Sequence, residues 1–365
     1  VKLSELGTIV GGGTPSTKKE EYYGGDIPWI TPKDLANFGE RYIEHGNRNI
    51  TLEGLENSSA KILPAGSILF SSRAPIGYIA IAANNVSTNQ GFKSIIPNSD
   101  VDSLFLYYLL KFNKDKIENM GSGTTFKEVS ASIMKSIEVF IPTEIVEQRK
   151  ISAILGAIDD KIETSKQINH HLEQMAITIF ESMFTNFSSG QTTIGKYIIP
   201  KRGKNLLSKD AISGRVPVVA GGLQPSTFHN IANTEHPVLT ISASGANAGY
   251  VNLWHVPVWA SDSSYIDSKM SDNVYFWYVM LKRRQQEIYD SQTGSAQPHI
   301  YPKHIEIMPT IELSKKEINL FTKRVTPLFK TVGNNLEEIK NLQNLRESLL
   351  PKLLSGEISV NQATK

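Results

Sequence analysis

Two stretches of about forty residues, 144–184 and 314–356, set the first constraint on the fold. In the first, Ile151, Leu155, Ile158, Ile162, Leu172, Ala176, Ile179 and Met183 recur at three- and four-residue intervals, with Gly156 the only glycine and no proline. That interval lines one stripe of an α-helix. The second stretch repeats the pattern with Ile318, Phe321, Val325, Leu328, Val332, Ile339, Leu342, Leu349 and Leu353. A helix of this length is roughly 60 Å long at about 1.5 Å per residue, more than one small domain can cover. The two stripes can cover each other, and the intervening chain lets the helices run antiparallel. Ser165, Asn169 and Asn335 place polar groups on the stripes. The asparagines either act as a register device, where slippage would strand a buried amide, or lie solvated where the helices part. Pro327 and Pro351 are expected to bend the second helix or break its hydrogen-bond ladder.

The segments before the helices also repeat. "GSGTTFKEVSASIMKSIEVFIP" (121–142) has a counterpart in "GSAQPHIYPKHIEIMPT" (294–310), each opening on Gly-Ser and ending near a proline. Gly77-Tyr78 and Gly249-Tyr250 lie at nearly the same interval, and the β-like runs, the turn-rich loops and a helical stretch follow in the same order in both halves. A tandem duplication of domain plus helix accounts for this. The expected architecture is α+β: two mixed α/β domains, 1–142 and 185–310, separated by long helices, 143–184 and 311–356, that form an antiparallel coiled coil with pseudo-twofold character, and a tail, 357–365.

Composition narrows the chemistry. Without cysteine, disulfides and thiolate metal sites are excluded, which fits a cytoplasmic location. No apolar run reaches the length of a membrane span, and "VKLSELGTIVGGG" lacks the order of a signal peptide. The chain begins at Val1, so preceding residues are expected to lie outside it. Net charge is only +2, too little for a pure phosphate binder, so any nucleic-acid contact must be arranged locally or shared with another subunit. Glycines 11–13 lead into Thr14-Pro15, so there is no phosphate loop with its lysine, and neither a nucleophile elbow nor an "NPPY" base-holding motif occurs. Asp159-Asp160-Lys161 reads as a solvated helix face, and His170-His171 point about 100° apart, unsuited to one metal ion. No catalytic or metal site is expected.

What remains is equipment for binding. Lys33 follows a turn; Ser72 and Arg73 close an apolar strand; Asn89, Gln90 and Lys93 surround a glycine turn; Thr124, Thr125 and Lys127 sit in the "GSGTTFK" loop. The second half offers Lys201, Arg202 and Lys204 in "KRGKN", and Ser244, Asn247 and Ser263 in small polar loops. Amide, hydroxyl and cationic groups of this kind read base edges or hold phosphates, although Gly/Ser/Asn clusters are also ordinary turns. Trp29, Trp254, Trp259 and Trp277 are the residues a carbohydrate- or protein-binding module would use, and equally the residues that fill cores. A hydrolase or nuclease acting alone would need an acid, base or metal cluster that the sequence does not offer.

The phrases "GGGTPS…YYGGDIPWITPKDL", "STNQGF", "GSGTTFKEVSASIMKSIEVFIP…EQRKISAIL…DDKIE" and "LRESLLPKLLSGEI" together resemble the specificity subunits of type I DNA restriction-modification systems, over essentially the whole chain. The resemblance implies two target recognition domains, each reading half of a bipartite double-stranded DNA site. It implies two methylation subunits docked on the helices, carrying S-adenosylmethionine and the adenine-N6 transfer. Restriction subunits would use ATP and Mg. This chain would hold no cofactor, and no membrane would be involved. The second half lacks a "GDIPWITPKDL" phrase and has "GRVPVVAGG" around Pro217 instead, so loop roles do not transfer directly between halves.

Overall fold

The structure, a computed structural model, describes residues 1–36, 38–73, 75–122, 127–294 and 297–363. The chain divides into two compact units, Val1–Thr164 with Ile339–Lys365, and Ser165–Glu338. The division falls in the middle of both long helices, Ile145–Met183 and Lys315–Ser355. Half of each helix is therefore built into each unit's core, whereas the sequence suggested scaffold helices standing apart from the domains.

Among the described residues the first unit holds eight strands: β1 (Gly7–Gly11), β2 (Tyr23–Ile30), β3 (Tyr42–Ile43), β4 (Arg48–Ile50), β5 (Ile68–Ser72), β6 (Ile76–Ala82), β7 (Ser87–Thr88) and β8 (Lys93–Pro97). They form one sheet in the order β1-β8-β5-β6-β3 and a smaller one in the order β4-β2-β7. Strand β5, "ILFSS", is buried throughout, because both faces of its sheet are covered. Ile68 and Phe70 join a core with Phe105, Leu106 and Tyr108 of the helix Ser103–Phe112, while Leu69, one residue out of phase, packs with Ile30, Leu35 and Phe92. The two-residue alternation of a strand thus appears as two separate cores, which is why the run reads as continuously apolar.

The second unit contains β9 (Thr192–Thr193), β10 (Lys201–Arg202), β11 (Val216–Val219), β12 (Thr227–His229), β13 (Val238–Ser242), β14 (Val251–Trp254), β15 (Trp259–Ala260), β16 (Ser263–Asp267) and β17 (Pro309–Thr310). Its sheets run β10-β16-β13-β14 and β12-β11-β15, with β9 paired to β17. The first order repeats β1-β8-β5-β6. In each small sheet the middle strand is antiparallel to one neighbour and parallel to the other, β2 with β7 and β11 with β15. Pro28 of β2 and Pro217 of β11 occupy matching strands, so the "GDIPWI" and "GRVPVV" phrases share a backbone despite their different residues.

The duplication corrects the register suggested by the Gly-Ser pairs. Ser122 and Arg73 both bridge Glu128, and Thr293 and Ser244 both bridge His299. The counterpart of Ser122 is therefore Thr293, two positions before Ser295, and Ser295 itself lies outside the described residues. Pairing with the strand end fixes this position, and the dipeptide does not.

Within the first unit, Ile151 and Leu155 pack with Leu350, Leu353 and Leu354, and Ile158, Ile162 and Ile339 form a further cluster with Leu342 and Leu349 half-buried beside it. Within the second, Ile318, Phe321 and Val325 are buried with Ala176, Phe180 and Phe184, while Leu172, Ile179 and Leu328 are only half-buried. There the seam is aromatic: Phe184 lies 5.1 Å from Phe276 of the helix Val274–Arg283, and Phe180 5.6 Å from Phe321, ring centre to ring centre. Asn335 Nδ2 donates to Asn169 Oδ1 at 2.7 Å, so the two stripe asparagines meet each other, Asn169 in a buried position. The C-terminal helix runs through Pro327 and Pro351 without interruption. Ile358, Val360 and Ala363 of the tail pack against the first unit's core.

The acidic pair expected on a solvated face divides: Asp160 is exposed as expected, and Asp159 is buried. Asp159 is 4% exposed, accepting from the Tyr108 hydroxyl at 2.7 Å and from Arg346 at 2.5 Å. Asp160 and Glu163 hold Arg41, itself 6% exposed. Burial opposes the charge on Arg41, but the Glu163 and Asp160 carboxylates more than offset it and its pKa rises. Burial, then Asp159, pushes the Tyr108 hydroxyl up, and burial pushes Tyr107 up to about 12. Asp159→Ala leaves Arg346 and Tyr108 without their acceptor; removing one member of a buried ion pair costs about 3–5 kcal/mol. Chemical denaturation of the full chain should show a loss of about that size, and a loss of a few tenths would mean the network is decorative.

Gly333 has a packing reason for its place inside a helix. A Cβ there would lie 3.0 Å from the His255 ring, so the ring rests directly on the helix backbone beside Tyr275. Burial, with His236 nearby, lowers the His255 pKa from the ordinary 6.5 to about 4. The unfolded chain binds this proton more readily than the folded one. Stability is therefore complete above about pH 6.5 and is lost as the pH falls toward 4, by on the order of 2 kcal/mol for this partly exposed ring. Denaturation midpoints measured across that range should fall in the parent chain and flatten in His255→Gln.

Candidate nucleic-acid interface

In the first unit, one end of the β5 sheet gathers most of the polar residues singled out in the sequence. The Ser72 amide donates to Gly91 O at 2.7 Å, which holds the 89–92 turn against the end of β5. Within that turn Gly91 N donates to Asn89 Oδ1 at 2.9 Å, and Thr14 donates to the Gln90 side chain. Glycine is required at two places here. A Cβ on Gly12 would lie 1.9 Å from Asn89 O, and one on Gly91 2.9 Å from Pro32. Lys33 is exposed in the short helix Pro32–Leu35, whose Thr31 and Asp34 cap each other. Lys93, with its side chain 14% exposed, lies 3.3 Å from Glu128, and Arg73 reaches the other Glu128 oxygen at 3.8 Å. Glu128 thus sits between two cations, with exposed Lys127 beside it.

The same end of the second unit is built differently on the same backbone. Ala243 N donates to Asp262 O, the bond that Ser72 makes to Gly91 in the first unit, so Asp262 stands where the first unit has Gly91. Ser244 stands where it has Arg73, and His299 where it has Glu128. Asp262 accepts from Arg202 Nη2 at 2.6 Å through one oxygen and from the Ser244 hydroxyl through the other. Lys201 and Arg202 are exposed on β10; Lys204 is exposed beside it, its carbonyl accepting from the Trp259 indole at 2.8 Å. Asn247 lies in the turn between Gly245 and Gly249, both at positive φ.

Two residues expected to face outward do not. Ser72 and Ser263 are fully buried, donating to Gly91 O and Val219 O, because a hydroxyl at the end of an apolar strand satisfies a carbonyl that water cannot reach. Thr124 and Thr125 lie outside the described residues. Trp29, Trp259 and Trp277 are buried and Trp254 is half-buried, its indole donating to Thr240. His170 and His171 are exposed. Among the described residues no group of three or more metal-ligating side chains converges. Sequence reasoning missed Glu128 and Asp262, whose cationic partners Arg73, Lys93 and Arg202 are distant in sequence and meet them only in the fold.

A family model described as the type I restriction modification DNA specificity domain matches residues 1–174. The MjaIX specificity subunit, of a type I restriction enzyme of Methanocaldococcus jannaschii, is 34% identical over 404 residues, covering 99% of this chain and 93% of its own length. The HindI specificity subunit of Haemophilus influenzae is 30% identical over 171 residues, 45% of this chain and 37% of its own. Among solved structures, the type I restriction-modification S subunit of M. genitalium aligns with a TM-score of 0.62 at 20% identity, covering 97% of this chain and 95% of that one, a likeness of fold. Two unlike copies of one mixed domain, each floored by long helices, define the structural class. This chain belongs to the family of type I restriction-modification specificity subunits.

The turn geometry generates a local prediction. Gly12→Ala drives a methyl into the Asn89 carbonyl, and the 89–92 turn must move. Hydrogen exchange at the Gly13, Gly91 and Phe92 amides should accelerate while the core amides of β5 stay protected. Unchanged exchange at those three would show that the turn does not depend on this approach.

Proposed function

We propose that this chain is the non-catalytic, DNA-reading subunit of a type I restriction-modification complex, with residues 1–142 reading one half of a bipartite site and residues 185–310 the other. The observation that supports this best is the contrast between equivalent positions: Arg73, Gly91 and Glu128 in one copy, Ser244, Asp262 and His299 in the other. A shared backbone with different side chains at one sheet end is what reading two unlike half-sites requires, since base edges are distinguished by donor and acceptor placement. The exposed Lys33, Lys127, Lys201 and Lys204 would serve phosphates, with Arg73, Asn89, Gln90, Lys93, Arg202, Ser244 and Asn247 nearer the bases.

The helices 143–184 and 311–356 would dock two methylation subunits and set the distance between half-sites, near one helical turn of DNA, roughly 34 Å, or a multiple of it. S-adenosylmethionine would belong to those subunits, and ATP and Mg to restriction subunits. No helix among the described residues is long and apolar enough to cross a membrane, and a cytoplasmic location suits a DNA-bound complex. The near-neutral charge also fits, because partner subunits around the duplex would supply much of the phosphate contact.

Single-molecule sequencing of methylated bases tests this directly, in cells carrying the chain with its methylation subunit against cells lacking only the chain. A split adenine-methylated motif should vanish with the chain. An identical methylation pattern in both would overturn the reading.

A further inference from the structure

We infer that Arg202, held by Asp262, is a base-reading residue of the second unit and recognises a guanine in its half-site through the major-groove edge. This rests on the reading of residues 185–310 as a half-site reader. Asp262 is clamped at both oxygens, by Arg202 Nη2 at 2.6 Å and by the Ser244 hydroxyl. Ser244 is itself fixed by close backbone approach, since a Cβ on Gly221 would lie 2.5 Å from its carbonyl oxygen. The carboxylate therefore has one orientation, and the arginine fork bound to it is oriented in turn. The Arg202 side chain remains 41% exposed, and the bond to Asp262 engages one of the five donors of its guanidinium.

Charge decides between base and phosphate. A carboxylate this close cancels most of the arginine's attraction for a phosphate and adds its own repulsion, so the pair is poorly suited to gripping a backbone. A planar fork held in place is well suited to a base edge with two acceptors, and guanine O6 and N7 are that edge. Lys201 and Lys204, exposed on the same segment and without such a carboxylate among the described residues, suit the phosphates. The first unit lacks this device at the equivalent position, where Gly91 replaces Asp262, so the inference is confined to one half of the motif.

The test uses the full chain assembled with its methylation subunit. Each guanine of the methylated motif is replaced in a DNA duplex by 7-deazaguanine, which lacks the N7 acceptor, and binding is measured for the parent and for Arg202→Lys and Asp262→Asn. At one guanine of the half-site assigned to residues 185–310, the parent should lose about tenfold or more in affinity, and Arg202→Lys should show no further loss there. Sequencing of methylated bases should show that position relaxed in Arg202→Lys, and less so in Asp262→Asn, with the other half-site unchanged. Lys204→Ala should instead weaken binding to all sequences alike. The inference is overturned if no guanine in that half-site couples to Arg202, or if the half-site contains none. If the parent chain directs no split motif at all, the reading as a specificity subunit fails first, and this inference with it.

Discussion

The constraint from which the rest of the structure follows is the apolar stripe of a 39-residue helix, Ile145–Met183, that has to be covered from end to end. Helix pairing alone does not cover it. At the ends, the domain cores reach down to it: Ile151 and Leu155 are continuous with Phe105 and Tyr108 in the first unit, and Phe180 and Phe184 with Phe276 in the second. Each domain is therefore stabilised by half of each helix, and a domain excised at the helix boundary would expose the apolar floor on which its own helix Ser103–Phe112 or Val274–Arg283 rests.

That arrangement explains where the buried polar groups lie. In each unit a tyrosine of the domain helix donates to a carboxylate of the long helix, Tyr108 to Asp159 and Tyr278 to Glu173 at 2.9 Å. An apolar contact between a helix and a sheet tolerates sliding; a hydroxyl that must meet one carboxylate does not. The Asn169 to Asn335 bond applies the same logic to the helices themselves. Polar bonds of this kind contribute modestly to net stability but penalise every misaligned alternative by an unsatisfied buried group.

The periodicity that revealed the helices extends over enough residues to dominate local noise, and duplication doubled every signal, so the architecture was legible in the sequence. Three things were not. Asp159 reads as surface because its partners, Tyr108 and Arg346, are distant in sequence and only the fold brings them to it. The Gly-Ser repeat misled by two residues because the fold aligns Ser122 with Thr293 through their bridges to Glu128 and His299. Ser72 and Ser263 looked like loop contacts, yet both lie at the ends of buried strands, and their position in or beside an apolar run was the signal that they face inward.

The acids at the two sheet ends bear on how a chain of net charge +2 can select DNA. A surface that relied on lysines alone would bind any duplex, with affinity set by the number of phosphates engaged. Placing Glu128 between Arg73 and Lys93, and Asp262 against Arg202, lowers that indiscriminate attraction where direct readout would occur. The bond to Asp262 also fixes Arg202 in direction, so that on the proposed reading a wrong base would leave an oriented donor facing no acceptor. Such a surface discriminates more by what it rejects than by how strongly it attracts. On the proposed reading, the affinity it gives up would come from partner subunits of the complex.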